Sequence, residues 1–318
     1  MNTIDKPATG HARLGAEDFA GLFGVQPGNL PKPCLDLIDA GDWRYRALDG
    51  PERDAVVLDL LSRIEQRNFS MVDPADKSRW IRGWGENLRD FVASSGAVES
   101  LAPKYIRPNL PLRLNQQFVK AEDSRFELHW YRVFQEWLFR AYLEPFDTIY
   151  EFGCGSGINV ALLAQMFPGK KIVGLDWAEP SRDLVNEMRR LRGWNTEGRL
   201  FDFFNPDESL KITPNSAVLT VGALEQTGTG HAKFIDYLLQ QQPALCVFIE
   251  PTYDWYDAKN LVDFLAIRIH DLRNFWKGFP ERLGQLEKAG KAQIIKQKRA
   301  FFGSLLLEGY SQTVWKPL

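Results

Sequence analysis

Thr148-Ile149-Tyr150-Glu151-Phe152-Gly153-Cys154-Gly155-Ser156-Gly157 joins a β-rich run to a glycine loop at the head of a helical run. Glycine admits backbone conformations closed to other residues and lets the main chain touch a ligand. The free N–H groups at a helix start can hold an anionic group. The loop therefore reads as a ligand site, which in an open parallel sheet lies beyond the carboxyl ends of the strands. The dinucleotide pattern GxGxxG is not met, because Ile158 stands three positions after Gly155. What stands instead is an acid, Glu151, two positions before the first of three alternating glycines, Gly153, Gly155 and Gly157.

This arrangement resembles the leading motif of class I S-adenosylmethionine-dependent methyltransferases. In that family the glycines pass under the methionine and ribose portions of the cofactor, and the acid orders the loop or contacts the methionine end. A second carboxylate fits the resemblance: Val173-Gly174-Leu175-Asp176 ends the next strand, 25 positions after Glu151, where the family places the acid that grips both ribose hydroxyls. A carboxylate can accept two hydrogen bonds from a vicinal diol. Arg199-Leu200-Phe201-Asp202-Phe203 resembles the stretch whose acid meets the adenine amino group, which implies Asp202 there and Phe203 over the ring. Trp177 is either core or an edge of the adenine pocket, and Cys154 reads as an incidental small residue. The resemblance covers residues 125–318 and implies an α/β fold: a Rossmann-like seven-stranded class I methyltransferase sheet, its seventh strand antiparallel. It implies S-adenosyl-L-methionine as cofactor and methyl transfer as the activity.

Transfer from a sulfonium is an in-line displacement, so nucleophile, methyl and sulfur must be held collinear, and a hydroxyl acceptor must lose a proton. The resemblance turns the ends of the fourth strand, Thr220 to Gln226, and the fifth, Phe248 to Asp254, toward the methyl, with Gly222 among the cofactor contacts. Members that methylate amide or nucleobase nitrogens carry an Asn/Asp-Pro-Pro-aromatic turn after the fourth strand, from which Gly222-Ala223-Leu224-Glu225 departs. Glu225 is the first candidate to act at the methyl, with cofactor positioning as its alternative role. His231, in Gly228-Thr229-Gly230-His231, is the competing base, set against helix capping or a surface position. Glu225, Glu250 and Asp254 could converge, but no spacing is diagnostic of a metal, and none is expected. The expected acceptor is a small molecule methylated on oxygen, such as a sugar or nucleotide-linked glycan precursor. A protein lysine or terminal amine is the alternative, and a cofactor-binding regulator without turnover the third reading.

The elements that must position these residues follow from periodicity. Strands are expected at Thr148–Phe152, Lys171–Leu175, Gly198–Phe201, Ala217–Val221 and Ala244–Ile249, with a closing pair at Ala292–Lys298 and Tyr310–Trp315. Between them fall helices at Ile158–Phe167, after a Ser181 cap, around Phe234 to Leu239, and from Lys259 to Trp276. Before residue 126 the chain reads as an arm, loose up to Gly28, and a mainly helical cap, with stripes at Val56 to Ile64 and Trp80 to Phe91. A third stripe, Phe126 to Ala141, opens the 126–318 domain. Aromatics at helical spacing are usually core, so His129 and His270 read as packed. Arg268, His270, Arg273 and Lys277 form a cationic run that meets either a phosphate or solvent.

The 318 residues, 44% hydrophobic and 25% charged, are enough for a sizeable core with a companion unit. A formal charge of −2 gives no general attraction for a polyanion, so no nucleic-acid partner is expected. Cys34, Cys154 and Cys246 make no CxxC pair, and no stretch approaches the ~20 apolar residues of a membrane span. With no apolar signal core in Met1 to Leu30, the expectation is a cytoplasmic protein with no membrane partner. Its oligomeric state is left open.

Overall fold

A computed structural model describes residues 11–318; the first ten positions of the expected arm lie outside them. The chain opens with β1 (Ala12–Arg13), α1 (Ala16–Phe23), α2 (Lys32–Ala40), β2 (Arg44–Ala47), α3 (Gly50–Glu65) and α4 (Ser78–Ala93). A hairpin, β3 (Leu112–Leu114) and β4 (Gln117–Ala121), leads to α5 (Phe126–Leu138). Alternation then begins: β5 (Thr148–Phe152), α6 (Ile158–Met166), β6 (Lys171–Asp176), α7 (Glu179–Arg192) and β7 (Thr196–Leu200). It continues through β8 (Ser216–Val221), α8 (His231–Gln241) and β9 (Leu245–Ile249). The chain finishes with α9 (Leu261–Arg273), α10 (Phe279–Lys288), β10 (Ala292–Lys298), β11 (Phe302–Gly303) and β12 (Gln312–Pro317).

The larger sheet has seven strands in the order β10-β12-β9-β8-β5-β6-β7. β5, β6, β7, β8 and β9 are parallel, and β12 runs antiparallel to both β9 and β10. This is the Rossmann-like seven-stranded class I arrangement, including the reversed last strand. Its interior strands are largely apolar because both faces are covered, most fully in Leu245-Cys246-Val247-Phe248-Ile249, every residue buried. The edge strand β10 alternates instead. The chain leaves β5 toward β6 on one side and later returns in β8 on the other, so a crevice opens at the carboxyl end of β5.

The region before α5 is mainly helical over its described part, through α1, α2, α3 and α4, but is not helical alone. It holds four strands of a second, antiparallel sheet, β1-β2-β4-β3-β11, whose fifth strand comes from near the C-terminus. Runs of two to five residues are too short to show alternation. The hairpin turn at Asn115 and Gln116, with φ of 49° and 60°, matches the right-handed strand twist. The loose arm is also corrected over its described part. Phe19 and Phe23 of α1 are fully buried, and Phe23 packs against Trp130, Phe134 and Trp137 at centroid distances of 5.5, 5.4 and 4.9 Å. One apolar core thus runs from α1 through α5 to the sheet, across the boundary expected at residue 125.

Two helix boundaries also move. α7 starts at Glu179 with Pro180 in its first turn, so Ser181 lies inside the helix and is not its cap. The long segment expected to reach Trp276 ends at Arg273, where Asn274 turns left-handed at φ 52°, and α10 follows as a separate helix. Asn260 caps α9, its side chain accepting from the N–H groups of Val262 and Asp263. No helix among the described residues is long and apolar enough to cross a membrane.

Candidate functional site

After Phe152 the chain turns at once, the N–H groups of Gly153 and Cys154 donating to the Leu175 carbonyl at 2.7 and 3.0 Å. Gly153, Gly155 and Gly157 have φ of 75°, 52° and 72°, which explains their alternation. A Cβ at Gly153 would stand 2.3 Å from that of Ala223, so this close approach of two loops also needs glycine. Asp176, at the end of β6, fastens the loop: its Oδ2 accepts from Gly155 N and its Oδ1 from Ala178 N, both at 2.9 Å. A carboxylate offers about four acceptor positions, so each oxygen can take one more donor. Burial pushes the Asp176 carboxyl up to about 6 against the pull of these bonds. Glu151 lies beneath the loop, where Asn159 Nδ2 donates to its Oε1 at 2.6 Å and its Oε2 has no partner; burial pushes it up to about 8. The buried Cys154 thiol packs over Gly174, where a Cβ would lie 3.1 Å from its sulfur, and burial pushes its pKa well up.

Beyond the loop lies a cavity of about 70 Å³ with aromatic walls, Trp80, Trp84, Trp177, Phe203 and Phe204, and with Gly153, Asp176, Gly222, Ala223 and Gln226 in its lining. Trp80 meets Trp177 edge to face at 4.9 Å, and the Trp84 indole lies across Gly155, 3.0 Å from where a Cβ would stand. Trp84 Nε1 is buried without a partner. Helix α4 thus rests on the carboxyl edge of the sheet and packs along α7. Of the residues expected at the cofactor, Gly153, Asp176, Trp177, Phe203 and Gly222 line the cavity; Gly155 and Gly157 shape its loop, and Glu151 lies under it. Asp202 is not among the lining residues: its Oδ1 accepts from Phe204 N at 2.9 Å, and its Oδ2 pairs with Lys77 Nζ at 3.3 Å. Lys77 also sits 5.0 Å over the Trp177 ring, so the pair fastens the start of α4 to the pocket's aromatic wall.

The ends of β8 and β9 carry a buried carboxyl pair. Glu250 accepts from the N–H groups of Ala223, Leu224 and Glu225 at 3.0, 3.3 and 3.4 Å, which holds the turn after β8 and favours its ionised form. Glu225 is 4% exposed, and burial together with the Glu250 charge raises its pKa well above the usual range. The proton of the pair therefore resides on Glu225, whose Oε2 has no partner. Tyr105 was not found by sequence reasoning. It is 64% exposed, and the charges of Glu127, Glu225, Glu151 and Glu250 add to the desolvation that raises the pKa of its hydroxyl. Glu127, pushed up to about 7 by burial, accepts from Tyr310 at 3.1 Å.

His231 is elsewhere. Its Nδ1 bonds the Gly228 carbonyl at 2.7 Å, and its ring stands edge-on to Trp276 and Phe279 at 5.8 and 6.1 Å. Burial lowers its pKa, and it is not among the cavity's lining residues. Among the described residues no group of three or more His, Cys, Asp or Glu side chains could hold a metal. Two larger hollows, of about 440 and 590 Å³, lie beside residues 106–110 and between the small sheet and the start of α9. Neither contains the glycine loop or Asp176, so size alone does not locate the chemistry.

No protein-family profile and no curated protein sequence matches the chain. Solved structures do resemble it. An O-methyltransferase family 2 protein from Planctomyces limnophilus, in complex with apigenin, is 12% identical over 54% of this chain and 49% of its own, with a TM-score of 0.38. The small RNA methyltransferase HEN1 is 19% identical over 59% of this chain and 25% of its own, at 0.43. The mitomycin 7-O-methyltransferase MmcR is 15% identical over 98% of this chain and 89% of its own, at 0.41. The chain thus spans about half the length of the first and a quarter of the second.

Proposed function

We propose that the protein is an S-adenosylmethionine-dependent methyltransferase acting on a small-molecule acceptor. The observation that carries this reading is the joint geometry of the glycine loop and Asp176: a buried carboxylate at the next strand's end, already bonded to the loop, keeps acceptor positions free beside an aromatic-walled cavity. That combination suits a nucleoside, whose vicinal hydroxyls donate to Asp176 and whose base lies among Trp80, Trp177, Phe203 and Phe204. The methionine end then runs over Gly153 toward the turn after β8, and Trp84 must swing off Gly155 to admit it. The cofactor supplies an electrophilic methyl group there.

The acceptor approaches the methyl at the turn after β8, where Glu225 and Glu250 stand. The acceptor atom is a hydroxyl oxygen, and Glu225 takes its proton while passing its own to Glu250. A carboxyl pair that shares one proton can still accept a second, as paired acids elsewhere do. His231 is the competing base: its bond to the Gly228 carbonyl through Nδ1 leaves Nε2 to accept a proton, but the residue does not line the cavity. The test is calorimetric titration of the purified chain with S-adenosylhomocysteine, followed by incubation of a lysate with methyl-labelled cofactor and separation of small molecules from protein. Binding with label in the small-molecule fraction is expected. No binding would overturn the cofactor assignment, and label confined to protein would overturn the acceptor class.

A further inference from the structure

Helix α4 borders the aromatic-walled cavity with two unlike halves. The half from Ser78 to Gly85 contains no buried residue, and the stretch before it, from Ser70 to Lys77, has neither helix nor strand. Its fastenings are an ion pair and ring contacts: Lys77 Nζ lies 3.3 Å from Asp202 Oδ2, and Trp80 meets Trp177 edge to face at 4.9 Å. The half from Glu86 to Ala93 is held on several sides. Phe91 is fully buried, and Asn87 Nδ2 donates to the Ser100 carbonyl at 3.1 Å. Lys104 reaches Glu86 and Asp90 at 3.1 and 3.0 Å, and Arg192 of α7 donates to the Gly96 carbonyl, just past the helix, at 2.9 Å.

Gly83-Trp84-Gly85 stands where the halves meet. A Cβ at Gly83 would meet nothing within 4 Å, and one at Gly85 would make only ordinary contacts, 3.6 Å from Arg89 and 3.9 Å from Pro180. Neither glycine has a positive φ. Alanine would therefore fit at both, and each glycine weakens the helix about 4-fold relative to it. What the pair supplies is a weak point on either side of Trp84. The Trp84 indole lies over Gly155, 3.0 Å from where a Cβ would stand, and the cavity it borders measures about 70 Å³. Small-molecule pockets run to about 300–1,000 Å³, so a ligand of nucleoside size needs the ring moved. Trp84 Nε1 is buried without a partner, so its present position also carries the cost of an unmade hydrogen bond.

We propose that Ser78–Trp84 is a lid that bends at Gly83 and Gly85, lifting the Trp80 and Trp84 rings to admit the cofactor and lowering them onto it. The ligand's identity rests on the methyltransferase reading; the motion belongs to the chain itself. Because α4 is helical both before opening and after closing, a stiffer hinge slows the passage between the two states and leaves their balance unchanged.

The test follows tryptophan fluorescence of the full chain after rapid mixing with S-adenosylhomocysteine, with calorimetry for Kd and hydrogen exchange on the chain alone. The observed rate should level off with rising ligand concentration, at the rate of opening. Gly83→Ala combined with Gly85→Ala should lower that plateau and the release rate each by about 10-fold, with Kd held within about 2-fold. Trp84→Ala uncovers Gly155 and should speed association. In hydrogen exchange, the amides of Ser78–Gly85 should open before those of Asn87–Phe91, and more slowly in the alanine pair. Unchanged rates in the alanine pair, or a change in Kd alone, would overturn the hinge. A rate that rises linearly with ligand in every variant, or equal protection along α4, would overturn the lid. Uneven, alanine-sensitive exchange in a chain that does not bind S-adenosylhomocysteine would leave the moving segment standing and remove the methyltransferase reading.

Discussion

Replacing Asp176 with Asn should cost the cofactor about 3 kcal/mol, or about 100-fold in Kd, without costing the fold. Both Asp176 oxygens already accept a backbone N–H, so the NH₂ of an amide must face one of those two donors and cannot accept from a ribose hydroxyl. A lost hydrogen bond to a charged group is worth about 1.5–3 kcal/mol, and a buried donor left facing a donor about 1–3 more. The pH dependence is the sharper signature. The carboxyl is raised from 3.8 to about 6 in the ligand-free chain, and the ribose hydroxyls bond its ionised form. Affinity should therefore rise with pH up to about 6 and then level off, with a proton released on binding below that point. Stability runs the other way. A carboxyl whose folded pKa is raised costs nothing below its unfolded value, and its penalty grows as pH rises through the folded value, to about 3 kcal/mol here. The Asn variant escapes that penalty but loses one of the two backbone bonds, so at pH 7 its ligand-free Tm should stay close to the parent's. Calorimetry with S-adenosylhomocysteine between pH 5 and 8, with thermal unfolding alongside, measures both. A flat affinity profile in the parent, or unchanged affinity in Asp176→Asn, would refute the ribose contact.

Other consequences are open to direct measurement. Glu225→Gln should lower kcat by ~10²–10⁴ with little change in S-adenosylhomocysteine affinity, while His231→Asn, the control, should leave turnover near the parent's; the reverse pattern in stopped assays would transfer the role. Lys77→Ala removes a half-exposed ion pair with Asp202, so the Kd for S-adenosylhomocysteine should rise only a few-fold, with an effect that shrinks in high salt. Phe23→Ala should destabilise the chain by about 3–5 kcal/mol in urea unfolding, because that fully buried ring is core and not part of a loose arm.

What was legible in the sequence tracks how locally each feature is encoded. The parallel strands and the glycine loop declare themselves within a few residues, because a strand buried on both faces must be apolar and the loop's left-handed positions call for glycine. Asp176 was legible because a strand end fixes where its side chain points. Asp202 was not, since its partner Lys77 lies 125 positions away on α4. The small sheet escaped for the same reason: β11 reaches β3 across nearly 190 residues, and two paired residues carry no periodicity. The α4 stripe showed a helix with one apolar face, but periodicity cannot say whether that face meets a sheet or a ligand.

The distribution of unsatisfied groups bears on the same division between scaffold and site. Buried polar atoms without partners include Glu151 Oε2, Glu225 Oε2 and Trp84 Nε1 around the glycine loop and the turn after β8, but also Arg113 Nη2, Arg132 Nη1, Arg273 Nε, Trp130 Nε1, Trp315 Nε1 and both nitrogens of His270. An orphaned atom by itself therefore does not mark function. The aromatic members of the second group lie inside packed clusters, where ring contacts offset a lost bond; Trp130 alone stacks on Phe134 at 5.4 Å and on Phe302 at 4.1 Å. The first group combines two carboxyls and an indole donor beside the loop and turn that border the cavity. Each such atom costs about 1–3 kcal/mol while unbonded, and ionising a buried acid costs more. A bonded ligand recovers that cost on binding. The apolar core joining α1, α5 and the sheet keeps the chain folded while the cost is carried, so the aromatic-rich N-terminal region contributes both to stability and, through α4, to the wall of the site.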